Sequence, residues 1–445
     1  MKGENQKHVV IIGAGFAGLW AVKSFFGNKK MRVTLVDRNN YHTFLPLLYQ
    51  VGAAEVEPEQ IAYPIRTLLR GRVNASYLRA EVSGIDYIEQ YVICNNQKIR
   101  FDYLIIATGS KTDYFTVAGA ERFAFPLKTL DDAMILRNHI LSCFERAAYI
   151  DDPGRRKKLL TFAIVGGGPT GVEFAGALSE LIRGPLRKDF PNISLSEISV
   201  YLVESVDRVL SMLSTTLSGY TEKKLQKMGI RLRLSSRVKD ISAAGVTFAD
   251  GTLLDTDTVI WTAGVSGDAP VSVDNKPVSV SPNRRIRVLT TLQVPDCPNI
   301  FVAGDLAFLE ENGRPLPMIA PVAIQEGKWA ARNVMRHAGG KQPLPFIYKD
   351  KGAMVTIGRN AAVTRIGSSE FRGFFAWLIW IVIHIMNLIG FRNKLFVIIN
   401  WIWDYLFFER SVRLILPGCC DNPNGTACIH RSGRCATTGY IPWSI

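Results

Sequence analysis

Hydrophobic positions along the chain gather into short unbroken apolar runs that end on glycine and give way to helical spacing. Residues 9–12 are one such run, stopping at Gly13-Ala14-Gly15-Phe16-Ala17-Gly18. Residues 19–26 then read as a helix, and residues 32–36 form a second strand closed by Asp37. A wholly apolar strand belongs in a parallel sheet covered on both faces, so the segment predicts a strand–helix–strand unit. The order repeats at residues 162–165, Gly166-Gly167-Gly168-Pro169-Thr170-Gly171, a helix from Val172, and a strand at 199–203 closed by Glu204. Three further runs end in small residues: 103–107 before Thr108-Gly109, 258–262 before Ala263-Gly264, and 300–303 before Gly304-Asp305.

Because the second glycine unit interrupts the first pattern, the chain predicts an α/β fold of two nested Rossmann-like dinucleotide-binding domains. The expected division is 1–112 with 285–340 for the first and 113–284 for the second. From about residue 343 the pattern changes to a short β-like stretch, then to apolar segments at 374–390 and 395–408. Residues 341–416 therefore read as a C-terminal membrane-anchoring region with amphipathic helices, and 417–445 as a flexible Cys-rich tail.

Each glycine pattern has a chemical reading. Gly13, Gly15 and Gly18 permit a tight turn, close backbone approach to a pyrophosphate and close helix-to-strand packing, with the helix N-terminus facing the phosphates. Asp37, at a strand end, can accept hydrogen bonds from ribose hydroxyls. Gly166, Gly168 and Gly171 repeat the device with Glu204 in the acid position. A carboxylate there accepts from a free 2′-hydroxyl and repels a 2′-phosphate, favouring NADH over NADPH. Glu173, in the first turn of the following helix, either complements the helix dipole or reaches the reacting groups, and the residues alone leave both open.

Size and charge narrow the class. A chain of 445 residues with 47% hydrophobic content can build two or three cores. Its net charge of +14 suits nucleic acid, an acidic ligand or an anionic membrane surface. Between residues 341 and 413, ten Lys/Arg stand against four Asp/Glu in the most aromatic and aliphatic part of the chain. That pairing favours a membrane surface over nucleic acid. The polar start at residues 1–8 predicts no secretion signal. Cys94, Cys143 and Cys297 read as ordinary reduced thiols, and Cys419, Cys420, Cys428 and Cys435 lack the paired spacing of a zinc site, so no metal is expected.

The early glycine turn, the middle Thr108-Gly109 and the late Gly304-Asp305 together resemble the two-dinucleotide flavoprotein superfamily over residues 8–335. The resemblance implies FAD at the first turn, held by Gly13, Gly15, Phe16, Ala17, Gly18, Asp37, Arg38, Thr43, Gln50, Val82, Ala107, Thr108, Gly109, Gly304 and Asp305. It implies NADH at the second, held by Gly166, Gly168, Pro169, Thr170, Gly171, Glu173, Glu204, Ala263 and Gly264. Disulfide reductases of the superfamily carry a dithiol shortly after the first unit. This chain has no cysteine before Cys94, and residues 40–50 occupy that place.

Five stretches narrow the resemblance further: 40–50, 166–173, 320–325, 352–358 with Arg359, and 371–413. They resemble the type II NADH:quinone oxidoreductases, single-subunit NADH dehydrogenases that do not pump protons. The resemblance implies hydride transfer from NADH to FAD and two electrons onward to a membrane quinone, with Glu173 tuning transfer and Gln325 holding the quinone head. Many members have glutamine where this chain has Pro321, so backbone at Pro321 and Val322 is expected to line the flavin and quinone instead. Paired interfacial helices are implied as well, placing the protein peripherally, as a monotopic protein, on the cytoplasmic face of an inner or plasma membrane. Arg372, Arg392, Lys394, Arg410 and Arg413 are expected as flanking charges, and Trp377, Trp380, Trp401 and Trp403 as interfacial rings. A homodimer stays open. So do a sulfide:quinone or oxygen-linked flavin oxidoreductase and a non-catalytic membrane flavin sensor.

Overall fold

In the computed structural model, which describes residues 6–274, 278–410 and 412–415, the first apolar run is β1 (Lys7–Ile12), buried after its first residue. It leads through Gly13 into α1 (Phe16–Ser24) and β2 (Met31–Asp37). The loop beyond holds a short helix, α2 (Leu48–Gly52), and the chain continues with β3 (Ala75–Arg79) and β4 (Tyr103–Ile106). It then builds a second sheet from β5 (Ala124–Pro126), α3 (Leu130–Ala147), β6 (Thr161–Val165), α4 (Pro169–Leu181), β7 (Ser199–Val203), β8 (Ile230–Arg233) and β9 (Thr258–Trp261). Through β10 (Gln293–Val294) and β11 (Cys297–Val302) it rejoins the first sheet, and α5 (Ala320–Ala338) covers it.

The first sheet runs β10-β11-β4-β1-β2-β3, parallel apart from the β10–β11 hairpin. The second runs β5-β9-β6-β7-β8 and is parallel throughout. In each, the strand before the glycine turn has its successor on one side and a later strand on the other. Strand order reverses there, and a crevice opens beyond the strand C-termini. Two connections tie the sheets together. Ser110–Thr112 pairs antiparallel with Val265–Gly267, and the Thr108 hydroxyl donates to the Asp268 carbonyl at 2.6 Å.

Beyond α5 an antiparallel meander, β12 (Ala353–Gly358), β13 (Ala361–Ile366) and β14 (Ser369–Gly373), lies against α4. The approach depends on Gly176: a Cβ there would stand 2.1 Å from the Ile357 carbonyl oxygen. Two helices follow, α6 (Phe374–Asn387) and α7 (Phe391–Phe407). The turn between them uses Gly390 at φ +87°, so α7 starts four residues before the expected segment. With 14 residues, α6 is only ~21 Å long against a hydrocarbon core of ~30 Å. No helix of the described residues is long and apolar enough to cross a membrane.

Both helices turn their polar or aromatic-polar side inward and leave apolar side chains outside. On α7, Asn393 donates to the carbonyls of Glu59, Gln60 and Ala62, and Asn400 donates to Gln60 Oε1. Phe391, Phe396, Ile399, Ile402, Trp403 and Leu406 are exposed. On α6, Ala376, Trp380 and His384 point inward at four-residue spacing, while Phe375, Leu378, Val382 and Met386 point out.

Two expectations are corrected here. Trp380 is not an interfacial ring, because its place on the inward stripe leaves it 2% exposed and stacked on His384. Arg410 is not a flanking charge. It is buried, donates to the carbonyls of Ala53 (2.8 Å) and Ala177 (2.9 Å), and pairs with Glu55 (2.5 Å) and Glu180 (3.4 Å). The Cys-rich tail from residue 417 lies outside the described residues.

Candidate active site

At the end of β1, Gly13 has φ +96°, and a Cβ there would stand 2.3 Å from the Ala107 carbonyl oxygen beyond β4. A Cβ on Gly18 would stand 1.8 Å from Gly13 O, so this glycine brings α1 down onto the turn. Gly15 precedes the first helical residue and has nothing within 4 Å of its Cβ position, which leaves the helix N-terminus open to a ligand. Phe16 and Ala17 are buried beneath the turn, and Gly304, at φ +80°, packs on Ala17.

The acids of this first crevice are held in place. Asp37 accepts from the N–H groups of Ala14 (2.6 Å) and Asn39 (2.7 Å), while burial raises its pKa. Asp305 accepts from the Ser110 hydroxyl at 2.5 Å and pairs with Lys128 at 3.5 Å. Neither Ser110 nor Lys128 was expected, since nothing in their spacing marks them. Thr108 and Gly109, at φ +78°, form the start of the crossing between sheets. The remaining expected contacts are more peripheral: Arg38 is exposed, Thr43 pairs with Ala62, and Val82 opens a strand (Val82–Asp86).

His42 is the other residue missed from sequence. Buried against Phe16, it places Nδ1 2.8 Å from the Ala14 carbonyl oxygen. A carbonyl only accepts, so Nδ1 carries the hydrogen and Nε2 is a bare acceptor. Burial lowers the imidazole pKa to about 4, and Nε2 has no hydrogen-bond partner among the described residues.

The second crevice repeats the first. Gly166 has φ +115° and a Cβ position 2.8 Å from the Ala263 backbone, while a Cβ on Gly171 would stand 1.8 Å from Gly166 O. Gly168 precedes α4 with open space at its Cβ position, and Pro169 and Thr170 make the first turn. Glu204 accepts from the N–H groups of Gly167 (2.6 Å), Ser205 (2.7 Å) and Val206 (3.2 Å), and from the Ser205 hydroxyl (3.0 Å). Across the crevice, Gly264 packs under the Phe115 ring.

Glu173 projects from the second turn of α4, not the first as its spacing suggested, because the helix already begins at Pro169. The Thr356 N–H of β12 approaches its Oε1 at 3.4 Å, the Trp380 indole lies beside it, and burial raises its pKa to about 8. Around it stand residues of the 40–50 loop and of the C-terminal helices. Gln50 donates to the Tyr49 hydroxyl at 3.0 Å and accepts from Trp401 Nε1 at 3.0 Å. Trp380 packs on Trp401 at 5.5 Å, and His384 meets Phe44 edge-on at 6.2 Å.

Gln325, expected to hold the quinone head, has its side-chain amide engaged within the protein. It donates to the carbonyls of Pro321 (3.2 Å) and Lys349 (3.0 Å) and accepts from Lys349 N–H at 3.1 Å, pinning the segment after α5. Pro321 stands in the first turn of α5, and Val322 is buried. The neighbouring Glu326, fully buried and raised to about 8 by burial, accepts from Gly304 N–H at 2.6 Å. None of the described thiols joins this cluster. Cys94, Cys143 and Cys297 are buried and free, and burial lifts Cys143 to about 12.

Residues 7–327 match the family described as pyridine nucleotide-disulphide oxidoreductase. Over 416 residues the chain is 38% identical to the type II NADH:quinone oxidoreductase Ndh of Mycobacterium tuberculosis, covering 91% of this chain and 89% of that one. The chain belongs to the type II NADH:quinone oxidoreductases. It is 30% identical to the mitochondrial internal alternative NAD(P)H-ubiquinone oxidoreductase A1 of Arabidopsis thaliana, covering 93% of this chain and 86% of that one. The type II oxidoreductase fold recurs in the structure of NDH2 from Plasmodium falciparum in complex with NADH, with a TM-score of 0.83, 22% identity, and coverage of 93% and 100%. The sulfide:quinone oxidoreductase of Aquifex aeolicus shares the fold at a TM-score of 0.71 and 18% identity, covering 91% and 96%. In this type II oxidoreductase the buried thiols stand apart from the Glu173 cluster.

Proposed function

We propose that this enzyme takes a hydride from NADH bound on Gly166–Gly171 and delivers the electron pair, by way of FAD on the first crevice, to a membrane quinone, without pumping protons. The observation that carries the reading is the convergence at Glu173, where α4, the helix that follows the second glycine turn, meets the 40–50 loop, β12 and the C-terminal helices. Residues 1–112 with 285–340 serve as the FAD-binding domain, 113–284 as the NADH-binding domain and 341–416 as the membrane-anchoring domain.

The first crevice fits FAD on its own chemistry. The open N-terminus of α1 suits a pyrophosphate, Asp37 suits ribose hydroxyls, and the orphaned His42 Nε2 suits a hydroxyl donor. Bound FAD supplies two-electron chemistry at its ring system. Glu204, its carboxylate held by three backbone N–H groups, selects the free ribose of NADH. The neutral carboxyl of Glu173 holds a proton beside the transfer site, while Tyr49, Trp380 and Trp401 exclude water. Quinone reaches this cluster along α6 and α7, whose exposed apolar faces rest on the membrane. The cytoplasmic face supplies NADH.

Anaerobic titration with NADH should bleach the flavin absorbance, and a short-chain quinone should restore it. Failure to bleach overturns NADH as donor. Reoxidation by oxygen outpacing that by quinone overturns quinone as acceptor.

A further inference from the structure

The corner at residues 113–116 is built against local preference. Phe115 and Thr116 have φ +48° and +59°, two consecutive non-glycine residues in the left-handed region. Such strain persists where surrounding structure enforces it and gathers at functional sites. Core packing does not account for it here, because Phe115 is 56% exposed. Two hydrogen bonds staple the corner to the end of β9, and a third closes it on itself. Phe115 N–H donates to Asp113 Oδ1 at 2.8 Å, Asp113 N–H donates to Gly264 O at 3.0 Å, and Trp261 Nε1 donates to Asp113 O at 2.8 Å.

The result is an aromatic ring laid on Gly264, where a Cβ would stand 2.1 Å from Phe115 Cζ. Any side chain at 264 would displace the ring. Gly264 follows β9, the strand beside β6 on the side away from β7. Glu204 closes β7 and takes the adenosine ribose, so the β9 side of the crevice receives the other half of the dinucleotide.

We propose that Phe115 is a positioning residue for NADH, a wall against which the nicotinamide nucleotide packs at the mouth of the second crevice. The proposal rests on the reading that NADH binds on Gly166–Gly171. Asp113 holds the strained corner, and Gly264 gives the ring room to lie close.

The test is steady-state kinetics and melting of the holoenzyme for Phe115→Ala, Phe115→Gly and Phe115→Tyr, with Glu204→Gln as a control on the site itself. Loss of an aromatic contact should raise KM for NADH about tenfold in the Ala and Gly variants, with kcat and quinone KM within about twofold of the parent. Tyrosine should retain the parental KM. Glycine accepts φ +48° without strain, so Phe115→Gly should melt no lower than the parent while binding NADH more weakly. Unchanged NADH KM in Phe115→Gly overturns the proposal, as does a lower melting temperature with unchanged KM, which marks a packing role. If Glu204→Gln raises NADH KM and the Phe115 variants do not, the wall alone fails. If none of them moves it, the placement of NADH fails as well.

Discussion

Glu173 shows how one side chain departs from its local setting. At the fifth residue of α4, just past the first turn, the helix dipole still favours the anion, though weakly. Burial beside Trp380 outweighs that and raises its pKa from 4.5 to about 8. The native state therefore binds a proton that the unfolded chain has lost between those values, and this group's contribution to stability falls as pH rises through that window. Glu173→Gln is expected to remove that slope from the pH dependence of melting. In stopped-flow it should also remove a limb near pH 8 from flavin reduction by NADH and slow the reaction at pH 7 by roughly 10- to 100-fold. An unchanged profile would return Glu173 to a purely helical role. His42 left no comparable mark on the sequence: its meaning comes from the Ala14 carbonyl that fixes its tautomer, a contact made across 28 positions.

Among the elements, the two strand–glycine–helix units are alike in geometry and differ in what their acids and neighbours offer. Gly18 and Gly171 each leave 1.8 Å between a would-be Cβ and the carbonyl of the first glycine, so alanine must push the helix off the turn. Gly18→Ala is expected to yield protein with about a tenth or less of the parental flavin content by absorbance. Gly171→Ala should keep its flavin yet lose NADH bleaching by about a hundredfold or more. Reversed outcomes would exchange the cofactors between the crevices. These units were legible because a parallel strand buried on both faces is wholly apolar and because its phosphate turn requires glycine. The C-terminal helices were legible as apolar segments only. Their orientation was not, since the inward stripes that carry Asn393, Asn400 and Trp380 are defined only by partners elsewhere in the fold.

At the scale of the whole molecule, Arg410 joins three parts that are distant in sequence: the loop after α2, the helix α4 and the chain end beyond α7. Removing one partner of a buried ion pair leaves the others uncompensated, so Arg410→Ala is expected to cost ~3–5 kcal/mol in denaturant unfolding. A loss under about 1 kcal/mol would show that the carbonyls and acids find other partners. The outward face of α6 and α7 can be tested without disturbing that interior. Phe375 and Phe391, 73% and 82% exposed, touch the outside. Replacing both with serine should weaken sedimentation with anionic phosphatidylglycerol vesicles by at least about tenfold while leaving soluble short-chain quinone reduction intact. Undiminished vesicle binding would move the membrane contact elsewhere.

By itself the sequence determined the nested α/β plan, both glycine turns and the placing of Asp37 and Glu204 at strand ends, because these are local features specified within one strand–helix–strand unit. It also determined that no dithiol follows the first unit, which a count of cysteines settles. Only the tertiary structure decided which polar groups face one another: Lys128 and Ser110 on Asp305, the closed amide of Gln325, the burial of Arg410 and Trp380, and the strained Phe115 on Gly264. The physical reason is range. A glycine turn is specified within a few residues of itself, whereas burial and pairing of a charge depend on elements brought together from hundreds of positions away.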